Sequence, residues 1–173
     1  MNDFLQEERF DFISDGDKAF IRAYNEAMTR LGYDFGETIG SGYCWGKYML
    51  IYRKTGVKSK NVYARIYIRE RSIALRLFLN DIDKHSQFIE NAPPHIKEAF
   101  VGKFGDCRYD RVDPDGGCKF RKSYTIDGRL IEKCNGETFE FRDPTQHGID
   151  DYVALFTEFY PPKRKPVKSL ETI

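Results

Sequence analysis

Phe20, Ile21, Tyr24, Ala27, Met28 and Leu31 recur three and four residues apart, the spacing that lines one face of an α-helix. Ser14 followed by Asp17 reads as a capping box ahead of that stripe, and Gly32 stands where a helix ends. A glycine-rich connection with Gly36, Gly40, Gly42 and Gly46 follows. The period then changes from helical to two. Residues 47–53, 61–69 and 72–79 read as strands, and the second and third alternate cleanly. Val62, Ala64, Ile66 and Ile68 point one way, and Tyr63, Arg65, Tyr67 and Arg69 the other. A tight turn at Glu70–Arg71 pairs 68 with 73, 66 with 75 and 64 with 77, and every such pair is apolar.

Ile82, Phe88 and Ile89 predict a helix over 82–90, which Pro93–Pro94 ends. The same prolines open a second short helix with Ile96, Ala99 and Phe100. Residues 102–117 are polar and read as a loop. Asp127–Gly128 between the runs 119–126 and 129–134 is a hairpin signal, and 138–141 adds a further strand. Ile149, Tyr152, Val153, Phe156, Phe159 and Tyr160 form a last helical stripe. The order predicts an α+β fold: an antiparallel sheet, built from a three-strand meander plus a hairpin, with helices packed on one side. Residues 1–160 read as a single domain and 161–173 as a disordered basic tail.

The 173 residues, 40% hydrophobic, 32% charged and 15% aromatic, exclude a wholly disordered, collagen-like or disulfide-dense chain. No apolar run reaches the roughly 18 residues of a membrane span, so no membrane role is expected. The start MNDFLQEERF is acidic without an apolar core, and four cysteines suit a reducing compartment, so the expected location is cytoplasmic. The net charge of +1 conceals a segregation. Residues 46–79 carry nine basic residues against one acid, while residues 1–45 and 80–160 are each net −5. Such a basic stretch calls for an anionic partner or for carboxylates elsewhere in the fold.

The meander register sets Arg65 directly opposite Arg76, and opposed like charges destabilise a sheet. Either a carboxylate from another element or an anionic ligand must offset them. Tyr63, Arg65, Tyr67, Arg69 and Arg76, with Trp45 at their edge, are the candidate ligand-binding residues. An anionic small ligand or a protein partner ranks above nucleic acid, although arginines among aromatics also suit phosphates and bases.

The segment GETIGSGYCWGKYM lacks the spacing of a phosphate loop or a dinucleotide fingerprint. The loop containing Asp113, Asp115 and Gly116 fails as a calcium loop, because Arg111 and Lys122 fall where acidic ligands belong. Cys107, Cys118 and Cys134 are more informative, with Asp110 three residues after Cys107. Zinc takes four tetrahedral N, S or O ligands, and Cys-x-x-ligand is its common half-site. Strict hairpin register sets Cys134 opposite Arg121, so Cys118 joins the set only from before the strand or through a bulge. The competing reading is of ordinary packed cysteines.

The runs GYCWGKYM, NVYARIYIRE, IENAPPHIKEAF and CKFRKSYTIDGRLIEKCNG resemble an uncharacterised family of proteins from anaerobic Gram-positive bacteria. Many members carry a Cys-x-x-Cys pair where this chain has Cys107 and Asp110. The resemblance therefore implies a structural zinc held by three cysteines and Asp110, or a metal-free variant, and it brings no activity.

His85, His95 and His147 are scattered, and no nucleophile elbow, HExxH or paired-carboxylate motif occurs. Binding rather than catalysis is the expectation. The rival from another class is an enzyme using Cys44 as a reactive thiol beside Trp45.

Overall fold

The computed structural model describes residues 3–107, 119–134 and 139–162. Helix α1 spans Asp15–Arg30. Ser14 caps it, its Oγ accepting from the Asp17 N–H at 3.1 Å, and Asp15 and Asp17 complement the positive end of the dipole. Gly32, just past the helix, takes the left-handed φ of +86° that turns the chain away. Phe20, Ile21, Tyr24, Ala27 and Met28 are all buried, as their spacing requires.

The meander is β3 (Tyr48–Lys54), β4 (Ala64–Ile68) and β5 (Ile73–Leu77). Its register is the expected one: Ile68 faces Ile73, Ile66 faces Leu75 and Ala64 faces Leu77. The glycine-rich connection departs from expectation. It contributes β1 (Tyr33–Asp34) and β2 (Ile39–Ser41), both antiparallel to β3. These strands are too short for alternation to reveal them.

The outer edge of β5 is taken by β8 (Glu140–Arg142). The hairpin of β6 (Arg121–Ile126) and β7 (Arg129–Cys134) forms a separate two-stranded sheet. Asp127 and Gly128 both take positive φ, 49° and 71°, the pattern that closes a two-residue hairpin. Tyr124, Ile126 and Ile131 turn inward, and the Tyr124 hydroxyl donates to the Phe100 carbonyl at 2.6 Å. The edge of β6 is blunted by carboxylates: Asp83 accepts from the Thr125 N–H and Glu90 from the Asp127 N–H, each at 2.8 Å.

The segment expected as one helix over 82–90 begins as a 3-10 turn, Ile82–His85, and continues as α2 (Ser86–Glu90). Helix α3 (Pro94–Val101) starts with proline in its first turn, where a missing N–H costs nothing. Helix α4 spans Ile149–Phe159. One face of the main sheet, with Leu50, Tyr52, Ile66, Leu75 and Phe141, packs with Phe20, Tyr24, Phe100, Leu155 and Phe156 of the helices. Two 3-10 turns, Phe4–Gln6 and Glu8–Phe10, add Leu5 and Phe10 to this core. No helix among the described residues is long and apolar enough to cross a membrane.

Candidate functional site

The other face of the sheet is cationic. In register across it, Arg65 on β4 faces Arg76 on β5, and Arg76 in turn faces Glu140 on β8. The adjacent row runs Met49, Tyr67, Ala74, Arg142. Met49, Tyr67 and Ala74 form a small buried apolar patch, against which Trp45 and Ile51 pack.

The opposed arginines are separated by what each one binds. Arg76, only 3% exposed, donates from Nη2 to Glu140 Oε2 at 2.6 Å. Its guanidinium lies 4.5 Å from the Trp45 ring centroid and 5.3 Å from that of Tyr67. Arg65 turns the other way, over the Phe78 ring at 5.1 Å, and donates to the Tyr67 hydroxyl at 3.2 Å.

Glu140 gathers more than one cation. Its Oε1 accepts from Arg69 Nη2 at 3.0 Å and from Arg142 Nε at 3.3 Å. Burial alone pushes the Glu140 carboxyl up; hydrogen bonds from Arg76 and Arg69 outweigh it and hold the group below the usual glutamate value. The carboxylate side chain is sealed from solvent, whereas the Arg69 and Arg142 side chains remain 30% and 58% exposed. Arg69 is braced further by its Nε, which donates to the Trp45 carbonyl at 2.9 Å. Arg142 lies over the Phe104 ring at 4.2 Å. The result is a fork: two part-exposed guanidiniums converge on one buried oxygen, each with further N–H donors beyond those bonds.

Of the residues expected to share this face, Trp45, Arg65, Tyr67, Arg69 and Arg76 are brought together. Tyr63 is the correction. It precedes β4 and packs on the helix side, with ring centroids 4.9 Å from both Tyr33 and Tyr160. The strand alternation does not extend back to it, because the chain there turns toward α4.

Glu140 and Arg142 are the functional candidates the sequence reading missed. The signal for them was indirect: an Arg65–Arg76 opposition demands an offsetting carboxylate, but nothing local says which one. Of the three histidines expected to be scattered, two come together, both of them exposed. His95 and His147 both line a cavity of about 610 Å³ beside Arg142, and His95 Nε2 lies 3.0 Å from Asp151. His85 pairs with Glu158 at 2.8 Å and packs on Phe159.

Of the expected metal ligands, Asp110 and Cys118 lie outside the described residues. Cys107 and Cys134 lie on adjoining backbone. Asp106 bridges Lys133 through the backbone, the Cys107 N–H donates to the Glu132 carbonyl at 3.0 Å, and the Cys134 N–H donates to the Gly105 carbonyl at 2.7 Å. That pattern turns Asp106 and Lys133 to one side and both cysteines to the other, as diagonal neighbours. Cys134 does lie opposite Arg121. Among the described residues, no three His, Cys, Asp or Glu side chains are grouped to hold a metal ion. Cys44 is exposed in the turn that carries Trp45.

Compared with protein-family models, with curated proteins and with solved structures, the chain matches none of them.

Proposed function

We propose that this chain is a binding domain for an anionic ligand, held at the Arg69–Arg142 fork over the buried Glu140 carboxylate. The observation that carries the reading is the convergence of both part-exposed guanidiniums on a single Glu140 oxygen, at 3.0 and 3.3 Å. Glu140 and the Phe104 and Trp45 contacts fix the two groups before any ligand arrives, which reduces the ordering cost of binding. Planar guanidiniums suit phosphate and carboxylate oxygens, which they grip through paired donors.

Trp45 is the single tryptophan of the chain, so its emission reports on this face alone. Titration with inorganic pyrophosphate is expected to change that emission saturably, and the affinity should fall as salt rises. Arg69→Ala should weaken binding about tenfold or more, the scale of a charged hydrogen bond. An unchanged affinity in Arg69→Ala, or no emission change at low salt, removes this site.

A structural zinc forms the second part of the proposal. Cys107, beside the isolated Asp106–Lys133 bridge, and Cys134 on β7 share one side of adjoining backbone, and Cys118 and Asp110 would complete four ligands. The zinc would tie the residues after Cys107 to the hairpin. Purification under reducing conditions without added metal is expected to yield about one zinc per chain. Cys134→Ser should then lose the metal. Metal-free protein with freely titrating thiols returns the cysteines to packing.

A further inference from the structure

The turn ahead of β3 holds Tyr43 in an arrangement that the anion fork does not account for. Tyr43 is 81% exposed and adopts a left-handed φ of 51°, which costs a side-chain-bearing residue energy. The turn is locked rather than loose. A Cβ at Gly42 would collide with the Gly46 carbonyl, and one at Gly46 would lie 2.9 Å from the Ile68 carbonyl. The Trp45 N–H donates to Gly42 at 3.0 Å, and the Lys47 N–H donates to Ile68 at 2.7 Å. The turn is thereby fastened to the end of β4, one residue before Arg69. A bulky aromatic side chain is thus carried out into water on a backbone that is fixed relative to Arg69.

Tyr43, Trp45, Lys47, Arg69 and Glu70 line a shallow depression of about 470 Å³, with Cys44 and Gly46 in its wall. Two cations face one acid there. An oxyanion alone uses the fork and leaves the Tyr43 ring idle. A ligand with a planar ring joined to phosphates uses both.

We infer that the ligand is a nucleoside phosphate, with its base stacked on Tyr43 and its phosphates reaching Arg69 and Arg142. The inference rests on the anion-binding reading and adds the ring. Base stacking on an aromatic side chain is sequence-tolerant, so the four common bases should bind with similar affinity.

Calorimetric titration of the whole chain with inorganic pyrophosphate and with a nucleoside diphosphate tests it. The nucleotide is expected to bind about tenfold or more tightly than pyrophosphate, the scale of one stacked base. Tyr43→Asn removes the ring while tolerating the left-handed backbone, and should bring the nucleotide down to the pyrophosphate affinity without changing the latter. Tyr43→Phe should restore the difference. Equal affinities in the wild type, or a nucleotide preference that survives Tyr43→Asn, overturn the inference and leave the anion fork standing. Failure of both probes to bind removes the fork and the inference together.

Discussion

Glu140→Ala is expected to destabilise the protein by about 3–5 kcal/mol, the usual effect of deleting one partner of a buried ion pair. Arg76 is almost sealed from solvent and donates to Glu140 at 2.6 Å, so it would be left buried without that carboxylate. Arg69 and Arg142 lose the same partner but retain access to water. Urea unfolding should show a lower midpoint with an unchanged slope. Replacing both Glu140 and Arg76 by leucine should recover much of the loss, since the desolvation of two charges disappears with them. A loss below about 1 kcal/mol for Glu140→Ala would mean that Arg76 is compensated without this carboxylate.

The same pair sets a pH dependence. The folded Glu140 carboxyl titrates below the usual glutamate value. Its contribution is therefore complete above the unfolded value of about 4.3 and is lost as pH falls through the lower folded value. The stability gap between wild type and Glu140→Gln should be constant near neutrality and close on acidification below that range. A gap that stays open at the acid end would mean that the charge of Glu140 is not what stabilises the fold.

Lys133→Met is expected to cost about 2–4 kcal/mol, from acceptors left without a donor. Lys133 is fully buried on β7, where a cation belongs only if its donors are all used. Its Nζ donates to the Gly102 carbonyl, to the Phe104 carbonyl at 2.8 Å and to Asp106 Oδ1 at 2.6 Å. The ammonium thus closes the C-terminal end of α3 and fastens residues 102–106 to the hairpin. Methionine fills a similar volume and isolates the polar loss from a cavity effect. Hydrogen exchange should show the 102–107 amides opening more readily in the variant. Unchanged protection there would mean that the hairpin holds this segment by backbone bonds alone. The Phe104 ring beneath Arg142 belongs to the segment so fastened, and Lys133 thereby supports the fork from a distance.

The meander was legible because two local rules agree. Alternation assigns faces, and a two-residue turn fixes register, so Ile66 opposite Leu75 and Arg65 opposite Arg76 follow without any tertiary knowledge. The capped first helix and the Asp127–Gly128 hairpin were legible for the same reason, since each carries its start or turn signal within a few residues. Trp45 at the edge of the arginine face was also readable, as the aromatic of a glycine-bounded turn directly before a strand.

The remainder needed the fold. Glu140 lies 64 residues from Arg76 on a three-residue strand, too short to show alternation or a preferred neighbour. Which edge β8 takes depends on the hairpin leaving the sheet to pack against α2 and α3. Tyr63 continues the alternation of β4 on paper, but the strand begins only at Ala64 and the ring joins Tyr33 and Tyr160 instead. Periodicity and turn signals sufficed for the meander, the hairpin, their registers and the excess of positive charge on one face, because backbone geometry and side-chain period are local properties. Which carboxylate neutralises that face, and which guanidiniums stay exposed to solvent, emerged only with the fold. Charge pairing acts through space, and the chain brings its partners together only after the sheet is complete.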